Sequence, residues 1–442
     1  MCDTLYAGRT LSGTGSAWFA KNSDRHPDEP QALCLVPRRA PAPALSVGGR
    51  TFPGPDAGLA YALSKPSWMA GGEAGVNERG VAIGNEAVFS RWKPAKDGPL
   101  GMDLLRAALA SAKSAEEARD YLAAAIEKEG QGGNGAYKGS LLYDNSFIVA
   151  DSEGAYVLET AGRRWAWRPA GELATISNAY SIEDDYKRLD EATRKAIAPV
   201  NERAACSDEA DAGRKGHKDS WRPYVESRFY LRFTKGDVRR GLTRASLEAA
   251  RGGLGLAAVL GTLRDHGAYD PRRRGSLESP CVHAGAFPSD SATTASLALE
   301  YLPGGAAFLW FTGTSYPCVS IYKPVLLSGG EFLPLWTDYD YAEGSEAAYA
   351  HWSRQRTWIR RAKAGRLSLD PAFAGRRDAV QDRIARAAAA VAAGLAGGAT
   401  ASAGAAGQGA ASLGGVAAAA LEEARREIDA AVESWYSGLP GY

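Results

Sequence analysis

The sequence predicts a layered α+β body with a helical C-terminal extension, and three observations carry that prediction. Short runs of strand length, punctuated by Gly, Asn and Asp turns, fill the chain to about Val88 and return between residues 141–177 and 294–322. Two helical patterns stand between the first and second groups. After Tyr341 the composition changes, and helical periodicity replaces strand patterning to the end of the chain.

In order, Ser16 to Ala20 and Ala32 to Val36 read as strands, with Gly13 and Gly15 as turn punctuation before the first. Val81 to Ala87 is a further strand behind the N-E-R-G turn at Asn77 to Gly80. Met102 to Ala112 carries apolar residues at helical intervals. Ser114 and Glu117 form an S-x-x-E capping box that opens a second helix running to about Lys128. Strands resume at Leu141 to Tyr143, Ser146 to Asp151, Ala155 to Thr160, Arg164 to Arg168 and Ala174 to Ser177. The D-S-E-G turn at Asp151 to Gly154 makes a hairpin. Residues 180–270 read mostly as helix and loop, with a charged, exposed and mobile section from Asn201 to Ser220. Thr294 to Glu300, Ala307 to Thr312 and Cys318 to Tyr322 are the last strands. Helices are predicted over Ser345 to Ala364, Pro371 to Ala393 and Val416 to Ser434. The Ala/Gly/Ser-rich stretch from Gly394 to Gly415 is predicted to be flexible.

Composition excludes several function classes. With 45% hydrophobic and 23% charged residues the chain can bury a sizeable core, and its net charge of +1 offers no electrostatic case for a nucleic-acid or membrane partner. The basic run His351 to Arg366 reads as the solvated face of a helix that turns Trp352 and Trp358 inward. Cys2, Cys34, Cys206, Cys281 and Cys318 show no C-x-x-C spacing, so no disulfide framework or zinc ribbon is expected and a reducing cytoplasm fits. The dispersed histidines show no H-E-x-x-H pair, so neither metal nor cofactor is expected. No basic, then apolar, leader and no spanning apolar run is visible. The segment Gly130 to Gly135 satisfies G-x-G-x-x-G, but it follows a helix and leads into strands, the wrong context for a dinucleotide loop.

The chemistry points to Cys2. Removal of Met1, favoured by the small second side chain, would leave a thiol and an α-amine on one residue. Such an amine titrates near pH ~8 and can take the thiol proton at neutral pH. The plain alternative is a frayed terminus.

Several blocks in order resemble peptidase family C69, the dipeptidases of the PepD type and their secernin relatives. They are M-C-D-T-L at the start, F-A-K-N-S-D-R at Phe19 to Arg25, G-V-N-E-R-G-V-A-I-G-N-E-A-V at Gly75 to Val88 and G-Q-G-G-N at Gly130 to Asn134. L-E-T-A-G at Leu158 to Gly162, I-S-N at Ile176 to Asn178 and W-F-T-G-T-S-Y-P-C at Trp310 to Cys318 complete the set. The resemblance spans about Cys2 to Pro324. It implies an N-terminal-nucleophile (Ntn) hydrolase: an αββα four-layer sandwich of two antiparallel sheets over residues 2–341, with 342–442 as the helical extension. It further implies a cysteine dipeptidase acting on small peptides without a cofactor. Hydrolysis of non-peptide amides, as in penicillin V or bile-salt acylases, and a secernin-like role without turnover are the rivals. Whether the extension packs on the body or makes homo-oligomer contacts stays open.

The same resemblance assigns roles. Cys2 would be the nucleophile, with Asp24 holding its amine. Lys21 stands where the related acylases carry arginine, a cation that would favour the thiolate without offering a planar fork. Asn178 and Asn85 would serve the oxyanion, with Glu86 as the one-residue alternative to Asn85. Arg228 resembles the acylases' distal arginine. Against these stand a local turn between Asp24 and Asn22, a helix cap at Asn178 for a helix near Ile182, and an ordinary surface role for Arg228. His283 is read as structural or substrate-lining, since it and Cys281 would lie side by side on one strand face. Thr293 and Thr294 are read as substrate-lining or as cross-strand partners.

Overall fold

The computed structural model describes residues 1–39, 45–47, 50–52, 58–204, 220–270, 275–285, 290–362, 371–398, 415–439 and 442. The chain opens on β1 (Cys2–Ala7), β2 (Ala17–Arg25) and β3 (Gln31–Val36). Two short strands, β4 (Leu45–Val47) and β5 (Arg50–Phe52), pair only with each other. Then come β6 (Tyr61–Pro66), β7 (Ala74–Asn77) and β8 (Ala82–Val88), followed by the helices α1 (Gly101–Ser111) and α2 (Ala115–Glu129). The next strands are β9 (Asp144–Ala150), β10 (Ala155–Ala161), β11 (Arg164–Pro169), β12 (Leu173–Ile176) and β13 (Arg188–Leu189). A helical stretch follows: α3 (Glu191–Ala204), α4 (Trp221–Val225), α5 (Arg228–Thr234), α6 (Gly236–Ala249) and α7 (Leu256–Leu263). Strands β14 (Ala292–Tyr301), β15 (Ala307–Phe311), β16 (Lys323–Ser328) and β17 (Glu331–Pro334) precede α8 (Glu346–Arg361), α9 (Pro371–Gly398) and α10 (Gly415–Ser437).

Two antiparallel sheets stack face to face. One has seven strands in the order β12-β1-β2-β14-β15-β16-β17; the other has eight, β13-β11-β10-β9-β8-β7-β6-β3. Helices α1 and α2 cover the outer face of the eight-stranded sheet, while α6 and α7 cover the seven-stranded one. The layers therefore run αββα, as the resemblance implies. The central strands are buried along nearly their whole length because each faces a sheet on one side and a helix on the other.

The strands predicted at β2, β3, β8 to β12, β14 and β15 form within a few residues of their expected bounds, and Ser114 caps α2, accepting from the Glu117 main-chain N–H at 3.1 Å. Three expectations are corrected. Leu141 to Tyr143 is no strand: the Leu141 main chain is spent on Asn134 and Gly135, and pairing starts at Asp144. Cys318 to Tyr322 is no strand. Pro317 opens a 3-10 turn there, and pairing begins at Lys323, where the main chain can again meet β15. The run around Cys281 is irregular loop, so alternation along a strand does not govern its side chains. Helix α8 does bury Trp352 and Trp358. Residues 205–219 and 399–414, for which mobility and flexibility were predicted, lie outside the described residues.

The C-terminal helices pack on the body. Ile384 and Val391 of α9 and Ile428 and Trp435 of α10 share one buried apolar cluster with the seven-stranded sheet. Gln381 accepts from the Tyr322 main-chain N–H at 2.7 Å, and the Tyr436 hydroxyl accepts from the buried Lys323 Nζ at 3.2 Å. No helix among the described residues is long and apolar enough to cross a membrane.

Candidate active site

Strand register brings the site together. In the β1–β2 pair Cys2 faces Ser23 and Thr4 faces Lys21; in β1–β12 Thr4 faces Ile176, which carries Asn178 alongside Cys2 just past the strand end. On the far side of β2, Asp24 faces Thr293 of β14, where a bulge between Thr293 and Ala295 re-aims the side chains.

Cys2 is buried at the head of β1. Its nitrogen donates to Asn178 Oδ1 at 2.7 Å. Its thiol donates to Glu73 Oε2 at 3.5 Å and accepts from the Asp24 main-chain N–H at 3.4 Å. Burial pushes the thiol well above its ordinary pKa. The Lys21 ammonium pulls it down and the Glu73 carboxylate pushes it up. In this form the sulfur is protonated and unreactive. Met1 precedes it, half-buried; its ammonium donates to the Asp24 carbonyl at 2.9 Å and its side chain packs on Leu277 and Val282.

Asp24 belongs to strand β2, so it makes no turn with Asn22. The Asn22 amide instead donates to the Leu263 and Pro280 carbonyls at 2.8 and 2.9 Å. Thr293 Oγ1 donates to Asp24 Oδ1 at 2.6 Å, and Oδ2 has no hydrogen-bond partner among the described residues. Burial pushes this carboxyl up to about 7, against the pull of the N-terminal ammonium.

Lys21 is fully buried between the sheets. It donates to the Asn85 carbonyl at 2.6 Å and to Glu86 at 3.2 and 3.3 Å. Burial alone would lower this ammonium's pKa; a Cys2 thiolate, when it forms, and the Glu86 and Glu73 carboxylates outweigh burial and raise it. Gly84 makes the approach feasible, since a Cβ there would meet Phe19, Lys21 and Thr4 at 3.0–3.1 Å.

The two neighbours on β8 divide their roles. Glu86 turns between the sheets to Lys21 and Thr4. The Asn85 amide turns elsewhere, donating to Asn145 Oδ1 at 3.0 Å and to Met102 Sδ at 3.3 Å. Asn85 thus meets the site through its carbonyl, which accepts from Lys21, while its amide is spent on Asn145 and Met102. Asn178 likewise points its Nδ2 at the Ala87 carbonyl, 2.7 Å away, and spends its Oδ1 on the Cys2 nitrogen. It caps no helix: the next one along, α3, starts only at Glu191.

Sequence reasoning chose Arg228 as the distal arginine, but the structure leaves Arg228 exposed on α5 and brings Arg239 of α6 to the site. The fully buried Arg239 guanidinium donates to Asp3 at 3.0 Å, Ser177 Oγ at 2.9 Å, Asn178 Oδ1 at 2.6 Å and the Thr234 and Leu277 carbonyls at 2.6 Å. Gly236 lets α6 dock, since a Cβ there would stand 2.6 Å from the Asn178 carbonyl carbon. Glu73 is the other residue missed; it lies 3.3 Å from Arg25 and 4.0 Å from Lys21. Its position two residues ahead of the G-V-N-E-R-G block was the signal available for it.

The three positions read as substrate-lining part company. Thr293 holds Asp24. Thr294 turns to Gln31 and the Ser23 carbonyl. His283 joins His266, Cys281 and Cys318, whose potential ligand atoms all lie within 4.8 Å of one another.

No protein-family model matches the chain. Among solved structures it is similar to a C2A mutant of the conjugated bile acid hydrolase from Clostridium perfringens, at 12% identity over 77% of this chain and 98% of that one, with a TM-score of 0.43. It is also similar to penicillin V acylase from Agrobacterium tumefaciens, at 12% identity over 74% of this chain and 86% of that one, with a TM-score of 0.38.

Proposed function

We propose that loss of Met1 turns this chain into an N-terminal-nucleophile cysteine hydrolase that cleaves short peptides, a dipeptidase of the C69 type. The observation that carries the reading is the seating of Cys2. Its nitrogen is held by Asn178 at 2.7 Å, and its sulfur sits within 3.5 Å of both the Asp24 N–H and Glu73. A frayed terminus has no such fixed partners.

On this reading the Cys2 nitrogen becomes a primary amine once Met1 is gone. Asn178 Oδ1, fixed by Arg239, takes one of its N–H bonds and leaves the lone pair for the thiol proton. Sγ bonds to the amide carbonyl carbon as its proton passes to the amine. The amine then protonates the leaving nitrogen, the C–N bond breaks, and a thioester remains on Cys2. Water hydrolyses that thioester with the amine again as base. Asp24 Oδ2, which has no hydrogen-bond partner among the described residues, is assigned to steady the ammonium that forms in between. The Asp24 main-chain N–H is the donor nearest the sulfur and takes the oxyanion role first given to Asn85 and Asn178. Lys21 supplies a fixed positive field.

Substrate size follows from Met1. Its removal opens a one-residue space bounded by the Asp24 carbonyl, Arg239, Leu277 and Val282. That space suits one residue of a short peptide rather than a long chain. A second reading, an N-acyl amide substrate, draws on the exposed aromatic face of α5, where Phe229, Tyr230 and Phe233 stand beside Thr234, which donates to the Asn178 carbonyl at 2.9 Å.

Intact mass before and after an electrophilic thiol probe tests the nucleophile. The expected result is loss of Met1 and stoichiometric labelling that disappears in Cys2→Ala. Active protein that keeps Met1 would sink the proposal. Parallel assays on dipeptides and N-acyl amides separate the two substrate readings.

A further inference from the structure

We propose that His266, Cys281, His283 and Cys318 form a tetrahedral site for a borderline-soft divalent cation, zinc above all, which staples three loops behind Asp24. The donors come from the segment after α7, the loop ahead of β14 and the 3-10 turn ahead of β16. His283 Nε2 lies 3.1 Å from His266 Nε2, 3.5 Å from Cys281 Sγ and 3.2 Å from Cys318 Sγ. Zinc bond lengths set tetrahedral edges of roughly 3.3–3.8 Å between such donors, so the three separations from His283 need shifts of only a few tenths of an ångström. The widest separation in the set, up to 4.8 Å, closes by about an ångström when the ion draws the loops together.

Charge agrees with geometry. Two thiolates and two neutral imidazoles around a divalent ion make a neutral unit, which a buried position tolerates. Binding exchanges the two S–H protons for the metal; the protons leave to water, and nothing is oxidised or reduced. Cys281 and His283 are buried, while His266 and Cys318 are half-buried, which leaves the ion a way in.

The surroundings hold the donors as an outer shell would. The Tyr316 ring stacks on His283 with centroids 4.1 Å apart. The Cys281 main-chain N–H donates to the Asp265 carbonyl at 2.9 Å, tying two of the loops together. Arg264 donates to the Pro317 and Ser320 carbonyls at 3.1 and 3.0 Å, on either side of Cys318. The site also reaches the catalytic strand. Val282, between two of the ligands, donates to Thr293 Oγ1 at 2.9 Å, which turns the Thr293 hydroxyl proton toward Asp24. The ion is a staple that positions Thr293, with no part in bond breaking.

The test uses the full chain, grown with added zinc and purified under reductant. Elemental mass spectrometry is expected to find zinc near one equivalent. Cys34→Ser should retain it, while Cys281→Ser and His283→Ala lose it. Cobalt exchanged into the wild-type protein should give the intense visible bands of a tetrahedral thiolate site, a readout that stands even where a ligand variant fails to fold. Cys2→Ala should bind the ion unchanged, so failure of the peptidase reading and failure of the metal site are distinguishable. Trace metal with no cobalt spectrum would overturn the proposal, as would a Cys281–Cys318 disulfide recovered by peptide mapping from the reduced preparation.

Discussion

The Cys2 nest and the His/Cys cluster are both buried, and Thr293 joins them, yet they are built in opposite ways. The nest is built mainly of charged groups that pair with one another: Lys21 with Glu86, Arg239 with Asp3 and Asn178, Arg25 with Glu73. Register fixes those on β1, β2 and β8, because the ladder sets where each side chain stands, and the docked helix α6 adds Arg239. The cluster is made of soft donors on three loops, where no ladder sets position and a shared ion can. Thus the nest should survive loss of any metal, whereas the cluster should not survive it.

The largest expected effect is at Cys2, the proposed nucleophile. Cys2→Ala should lower amide hydrolysis by about 10⁴-fold or more while zinc content stays unchanged, with turnover and elemental analysis run on one preparation. Comparable turnover in the variant would remove the nest from the chemistry. Next is Arg239→Met, which strands the Asp3 charge and frees Asn178. It should cost about 3–5 kcal/mol in urea unfolding, and a variant as stable as the wild type would show that the guanidinium anchors nothing.

Asp24 gives a pH test of the nest alone. Its folded pKa, raised from 3.8 to about 7, makes it a group whose stabilisation is complete below the unfolded value and lost as pH rises through the folded one. Between about pH 4 and pH 8 the unprocessed wild-type chain should therefore lose roughly 4 kcal/mol more stability than Asp24→Asn. Equal slopes in the two proteins would contradict the raised carboxyl. The smallest effect probes the joint between the regions. Thr293→Val should cost about 1–2 kcal/mol in stability and also weaken cobalt binding. A change in one readout without the other would mean that Thr293 does not couple them.

Legibility followed the same division. The nest was readable because its members lie in contiguous blocks: K-N-S-D-R puts Lys21 and Asp24 on one strand, and I-S-N brings Asn178 beside Cys2. Choosing between Asn85 and Glu86 needed the facing, since neighbours on a strand point to opposite sides. Arg239 was out of reach because α6 docks through Gly236, a close approach that no local pattern signals. The cluster was invisible for a related reason: its four ligands span residues 266–318 with no motif spacing, and they converge only after the chain has folded.

By itself the sequence determined most of the longer strands, the capped helix, the αββα layering through its resemblance, and Cys2 as the residue to watch. Local patterning suffices for these because apolar period and turn chemistry act over a few residues. Only the tertiary structure decided which way Asn85 and Asn178 aim their amides, which arginine reaches the site, and that two cysteines and two histidines share one point in space. Those outcomes depend on how the sheets and loops pack against one another, and contacts between segments so distant in sequence leave no period in the chain to read.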